Sequence, residues 1–310
     1  MTRFILWRLV QFPLVLAVIY LATFLLCWVA PGSPFGNNER KLDPEVQHQL
    51  ERQFHAESAG EFLCYYPWKM LHGDFGPSMS YLGWSVGDVM KSSLPISITL
   101  GLFALTIAVI CGCTIGALAA VRRGGVVDLL GAILTLLGIS LPGFVAAGLL
   151  LAVFSDQLHW FPGGGWGGIR HLVLPAVALS LAPMAYIAQL TRVSMLDVLG
   201  EDYVRTARAK GLSRSTVIWR HCLRNAILPV FTYLGPAAAA ALTGSFVVEY
   251  VFNIPGIGQH FVNGVKNRDQ TLILGTVMVY SAFLLGLNLL VDIGYAFIDP
   301  RIDITAGNKS

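Results

Sequence analysis

Seven histidines, five cysteines and two acids within apolar sequence are the groups in this 310-residue chain with chemistry to offer. The histidines (His48, His55, His72, His159, His171, His221 and His260) are scattered, and no pair falls at the His-Glu-x-x-His spacing that zinc hydrolysis requires. Gly138-Ile-Ser140-Leu-Pro-Gly143 is one residue too long for the Gly-x-Ser-x-Gly turn of a serine hydrolase. Cys111-Gly-Cys113 lacks the two-residue gap and the second pair of a zinc site, and Cys27, Cys111 and Cys113 read as small packing residues. Cys64 and Cys222 stand alone. Pro162-Gly-Gly-Gly-Trp-Gly-Gly168 lacks the Gly-Lys-Ser/Thr ending of a phosphate loop and is expected to be a flexible turn with an interfacial tryptophan. No catalytic residue, cofactor site or metal site is expected, and the chain has no motif for hydrolysing ATP. Glu249 and Asp292 remain as acids close to membrane depth. An unpaired charge at a helix centre costs about 2.5–3.5 kcal/mol, so such acids invite a functional reading. Both lie near the ends of apolar runs, and a structural pairing and an ion path stay equally open.

The elements that must hold these groups are membrane helices. Hydrophobic residues are 55% of the chain, charged residues 13%, and mean hydropathy is +0.64. A soluble domain carries about a quarter charged residues. Charge-free runs cover 9–38, 92–121, 129–155, 171–191, 225–248 and 270–291. Each reaches the roughly 20 residues that cross the hydrocarbon core as a helix. No alternating ten-residue strands appear, so a barrel is disfavoured. The fold class is all-α, a polytopic membrane protein with about six transmembrane helices. The first apolar run is longer than a signal peptide core and ends at Pro31-Gly-Ser-Pro34 without a small-x-small cleavage site, so it reads as a retained span.

The chain then divides into an N-terminal transmembrane helix (1–30), an extracytoplasmic segment (31–93), a core of five helices (94–298) and a tail (299–310). With the N-terminus inside, thirteen basic residues fall on the cytoplasmic side and eight outside. Five of those eight share a long loop, which weighs little in setting orientation. Both termini and the loop 192–224 are therefore expected to be cytoplasmic. In the outer segment, Asp43-Pro44-Glu45 predicts a short helix to about Phe54. Span three is rich in glycine and carries Pro142, which predicts a kink; Gly131, Gly138, Gly143 and Gly148 serve equally for close packing. Pro236-Ala-Ala-Ala-Ala-Ala241 gives span five a small-residue surface, and Asn253-Ile-Pro-Gly-Ile-Gly258 predicts a looped or re-entrant hairpin.

The loop 192–224 is the most informative stretch. Its pattern is helical and broken once, at Gly211-Leu-Ser213, where glycine ends one helix in the left-handed region and serine caps the next. Tyr203, Ala207 and Gly211 recur every four residues, which predicts one small-residue face for docking, with Arg205 and Arg208 turned away from it. A basic loop lying on lipid headgroups is the plainer alternative.

At this point the chain resembles a known family. Glu201-Asp-Tyr-Val-Arg-Thr-Ala-Arg-Ala-Lys-Gly-Leu-Ser213, followed by Arg220-His-Cys-Leu-Arg-Asn-Ala-Ile-Leu-Pro229, is similar to the cytoplasmic loop of bacterial ABC importer permeases of the dipeptide, oligopeptide and nickel group. Gly73-Asp-Phe-Gly76, Ser140-Leu-Pro142, Leu158-His-Trp-Phe-Pro162, Val247 through Gly258 and Asp299-Pro-Arg301 resemble its B-type subunit in the same order. The wider superfamily's Glu-Ala-Ala motif is altered here: Arg205 stands for Glu, Thr206-Ala207 for Ala-Ala, His221 for Ile and Arg224 for Pro.

The resemblance implies the type I importer permease fold in a bacterial inner membrane. It implies a second permease, two cytoplasmic ATPase subunits, an extracytoplasmic solute-binding protein and the lipid bilayer as partners, and no nucleic acid. The solute would be a di- or oligopeptide, with a nickel chelate or another small solute as alternatives. Glu201, Tyr203, Thr206, Ala207, Gly211, Leu212 and Ser213 would form the ATPase-coupling loop, and Pro142, Ala239 and Glu249 are pore or gating candidates. A stand-alone secondary transporter would show internal repeats and midplane charges, which are absent from the sequence. An intramembrane hydrolase would need a dyad.

Overall fold

A computed structural model describes residues 2–29, 43–53, 58–78, 80–81 and 83–298. Among them the regular elements are helices: α1 (Thr2–Val29), α2 (Pro44–Gln53), α3 (Ala59–Leu71), α4 (Val86–Val121), α5 (Val126–Ser140) and α6 (Gly143–Leu150). Helix α6 runs on as a wider π turn over Leu151–Gln157. Then come α7 (Ile169–Leu199), α8 (Asp202–Ala209), α9 (Arg214–Thr216) with a π continuation over Val217–Cys222, and α10 (Leu223–Ala226). Helices α11 (Leu228–Val251), α12 (Ile257–Asn267) and α13 (Gln270–Ile298) complete the described residues.

Four of the described helices are long and apolar enough to cross a bilayer: α1, α4, α7 and α13. Helices α5 and α6 make a fifth crossing only as a pair, bent by 110° at their junction. Helix α11 is 24 residues long and overlaps the run at 225–248. The expected kink in span three is therefore a break between two helices. Leu141 sits in the extended region (φ −81°, ψ 120°), as a residue before proline must, and Pro142 then starts the new helix as its N-cap.

Two compact units divide the chain, residues 1–98 with 253–310 and residues 99–252, with the division inside α4. Helices α12 and α13 belong with the N-terminal unit. Helix α4 begins at Val86, before the expected start of span two. Ser85 and Asp88 form a reciprocal cap: the Ser85 hydroxyl donates to Asp88 Oδ2 at 2.6 Å and accepts from the Asp88 N–H at 3.1 Å.

In the first unit, Phe62, Tyr66 and Met70 lie one helical turn apart on α3 and pack on Tyr20 and Phe24 of α1 and Leu274 of α13. Asp269, fully buried, caps α13 by accepting from the Leu272 N–H (2.9 Å) and the Thr271 hydroxyl (3.0 Å). Its other oxygen accepts from the Ser78 hydroxyl and the Ser80 N–H, both at 2.8 Å, which ties the 72–85 loop to α13. The expected hairpin after α11 is a helix–turn–helix: Asn253 takes φ 50° and α12 follows, with Ile257, Gly258 and Gly264 buried.

In the second unit, α7 is central. Its most apolar stretch is 61% buried, against 17–28% for the other three long helices. Glycine is what lets neighbours approach it. A Cβ on Gly112 would stand 2.8 Å from the Met184 carbonyl oxygen, and one on Gly138 2.8 Å from that of Leu181. One on Gly116 would strike the Ala188 carbonyl. Gly143 and Gly148 face open space. The run 162–168 is tied to the end of α11. The Gly165 N–H donates to the Phe252 carbonyl at 2.8 Å, and a side chain at Gly164 would collide with the same group.

Candidate functional site

The basic end of the second unit gathers the ends of α4 and α7, the start of α5, and all of α8 to α10. Helix α7 runs past Thr191, where the charge-free run ends, to Leu199, so Arg192 is a helical residue and the loop's helical pattern has a further break at Gly200. Helix α8 ends in a Schellman motif. The Gly211 N–H donates to the Arg208 carbonyl at 3.0 Å and the Leu212 N–H to the Ala207 carbonyl at 3.3 Å, while Gly211 takes φ 79°. No atom lies within 4 Å of where its Cβ would be. Conformation, rather than close approach within the chain, is what requires glycine there. Two residues later the Ser213 hydroxyl accepts the Thr216 N–H at 3.2 Å and opens α9.

One face of α8 is committed to the chain's own core. Val204 is fully buried, and with Met195, Val217, Cys222 and Ala226 it packs on Ala117 and Ala120 of α4; Ala207 lies half-buried against the same cluster. The single docking face of Tyr203, Ala207 and Gly211 is thus divided. Four-residue spacing drifts about 40° per step around a helix, enough to carry Ala207 inward beside Val204. Glu201, Tyr203, Thr206, Gly211, Leu212 and Ser213 are exposed, and so are Arg205 and Arg208. Tyr203, Leu212 and Trp219 leave 40–45% of their large apolar surfaces open. Tyr203 is also anchored, its hydroxyl accepting from Asn225 Nδ2 at 2.9 Å. Arg214 donates to the Val121 carbonyl at 3.4 Å, at the exposed carbonyl end of α4.

Asp128 and Arg192 form the strongest polar contact here, and sequence reasoning passed over it. Arg192 Nε donates to Asp128 Oδ1 at 2.6 Å and Nη2 to Oδ2 at 2.9 Å, the two-pronged geometry specific to arginine. The Gly124 N–H donates to the same Oδ2 at 3.0 Å. Asp128 is buried, and the pair forms part of the wall of an open crevice of about 470 Å³ with Gly124, Gly125, Val126, Leu129 and Ala132. A signal existed: Asp128 immediately precedes one charge-free run and Arg192 immediately follows another.

The three pore candidates are dispersed. Pro142 is exposed at the break, Ala239 is half-buried, and Glu249 is fully buried at the far end of α11. None lines the crevice beside Asp128. In the alanine run, Ala237 and Ala241 are buried within the unit, one turn apart. Asp292 lies in α13, and its side chain is outside what the structure describes, as are the tail 299–310 and the segment 30–42.

Residues 112–304 match the profile of the binding-protein-dependent transport system inner membrane component. The chain is 44% identical to the dipeptide transport system permease protein of Bacillus subtilis, over 98% of this chain and 99% of that one. It is 43% identical to the oligopeptide transport system permease protein of Escherichia coli, over 97% and 99%. A chain in a crystal structure of an amino acid ABC transporter with histidines superposes with a TM-score of 0.52, covering 67% of this chain and 94% of that one. At 19% identity that likeness concerns the fold alone.

Proposed function

The chain belongs to the family of binding-protein-dependent transport system inner membrane components and is the permease component of an ABC importer, and from that premise we propose that it carries peptides. It is a transport subunit, not an enzyme. What supports the peptide reading is similarity along nearly the whole chain to a dipeptide and an oligopeptide permease. A second permease would complete the pathway, two ATPase subunits would supply the energy, and a solute-binding protein would deliver the solute from outside.

In this reading the segment 200–213 is where an ATPase subunit docks. The observation that supports it is the α8–Gly211–α9 element, which exposes Tyr203, Thr206, Leu212 and Ser213 while Val204 and Ala207 bind it to α4 and α7. Movement of a docked partner therefore reaches two long helices through packed side chains. Such an element has to occupy two states biased from both sides of the membrane. Glu201 and Gly211 shape the two ends of the element, and Pro142, Ala239 and Glu249 are assigned to the pathway. Both termini and the α8–α10 region are cytoplasmic.

The test is reconstitution of the chain with its neighbouring permease, ATPase and binding-protein genes in proteoliposomes. ATP-dependent uptake of labelled di- or oligopeptides is the expected result. Uptake of a nickel chelate without peptide uptake overturns the substrate assignment. Labelling of Ser213→Cys by an impermeant thiol reagent from outside intact cells overturns the orientation.

A further inference from the structure

We infer that the Asp128–Arg192 ion pair is the positioning link that makes α5, and with it the break at Pro142, follow the end of α7 from which the α8 element hangs. The inference rests on the reading of α8 as the ATPase-docking element.

Helices α5 and α7 touch at two levels. Gly138 of α5 meets Leu181 and Ala185 of α7, and Asp128 meets Arg192. Ten residues separate the contacts along α5, and seven to eleven separate them along α7 in the opposite sense, so the helices are antiparallel and the contacts are about 15 Å apart. The Gly138 contact is smooth, a glycine against backbone and a methyl group, and resists sliding or pivoting weakly. The Asp128 contact is directional, with two hydrogen bonds from one guanidinium and a third from the turn before α5.

Around it, the first turns of α5 meet α4 through Gly131, beside Ala119 and Ile115, a smooth small-residue contact like that at Gly138. Val126 and Leu129 are exposed by 73% and 61%, and the crevice leaves open space beside the pair. Meanwhile Met195, one turn beyond Arg192 on α7, is buried in the cluster that holds Val204 of α8. A displacement of α8 therefore enters α7 next to Arg192, and the fork passes it to α5 at the end opposite Pro142. Without the fork, α5 rests on the non-directional contacts of Gly131 and Gly138.

The experiment uses the full importer in proteoliposomes and reads ATP hydrolysed per solute imported, with ATPase co-purification and membrane level beside it. Asp128→Asn and Arg192→Gln are expected to retain ATPase association yet raise that ratio by about fivefold or more, the lower end of typical coupling effects. Asp128→Glu should stay near wild type. The double variant should be no worse than the worse single, because the two residues act as one unit. An unchanged ratio in both single variants overturns the inference. So does a parallel fall of transport, hydrolysis and membrane level, which marks a purely structural pair. Should Asp128→Asn fail to accumulate, Arg192→Lys carries the same test, since it keeps the charge and loses the fork. A wild-type complex in which ATPase subunits never bind the chain overturns the docking reading itself, a result distinct from any variant's.

Discussion

Gly211 offers the sharpest test of the docking element, because conformation and space make opposite demands there. The backbone holds φ 79°, and a Cβ would meet no atom within 4 Å. Replacing Gly211 therefore costs only the left-handed penalty, about 1–2 kcal/mol for an ordinary side chain. Asparagine tolerates that region better than alanine, and valine worst of all. A penalty of that size lowers the fraction of chains with a formed α8–α9 turn by a factor of about 5–30 where the turn is marginal. Uptake by the reconstituted importer, normalised to membrane level, should then rank glycine, asparagine, alanine, valine. Were the requirement one of close approach to a partner, size would decide and alanine would outperform asparagine. Alanine ahead of asparagine refutes the conformational account.

Two further outcomes follow from the geometry. Gly116→Ala places a methyl 2.8 Å from Thr191 Cβ and against the Ala188 carbonyl, so α4 and α7 must separate; overpacking of this kind costs about 1–3 kcal/mol, and the unfolding midpoint in detergent should drop, while Gly143→Ala, facing open space, leaves it unchanged. Burial pushes the His260 imidazole below its ordinary range, and its Nδ1 lies 2.8 Å from the Tyr81 hydroxyl, which accepts from Asn263 and is thus free to donate its proton to a neutral ring. The unfolded chain takes up the proton first, so stability is complete above about pH 6.5 and declines as pH falls through that value toward the depressed one; melting at about pH 7.5 and 5.5 should show it, and His260→Gln should remove the difference.

How much of this was legible depended on how far the cause of each feature lies from it in sequence. The spans were readable because charge is excluded locally, and the Gly211–Ser213 break because each of those residues carries its own backbone chemistry. The Ser85–Asp88 cap was equally local, but polar residues after it hid the start of α4. The direction of Ala207 was lost because a four-residue repeat says which residues share a face, not which face turns inward; Val204, one turn from Arg208, decides that by packing on Ala117 and Ala120. Pro142 announced a disruption, yet a proline alone does not state an angle, and the 110° was not legible. Asp128 and Arg192 are 64 positions apart, and no periodicity joins them.

Helix α7 is both the most enclosed of the four long helices and the least apolar of them. That pairing bears on how the chain is made as well as on how it stands. A helix that will face lipid must partition into the bilayer on its own, and α1 and α4 are apolar enough to do so. Helix α7 carries Pro175, Pro183, Ser180 and Thr191, and gains most of its stabilisation from neighbours. Three of the glycines that receive it, Gly112, Gly116 and Gly138, leave the ribosome before it does. That part of its docking surface is synthesised first, whereas α11, which packs on it through Val230 and Tyr233, follows it. The order of helices along the chain then gives an order of assembly, in which the least autonomous span arrives between the two walls of the groove that holds it.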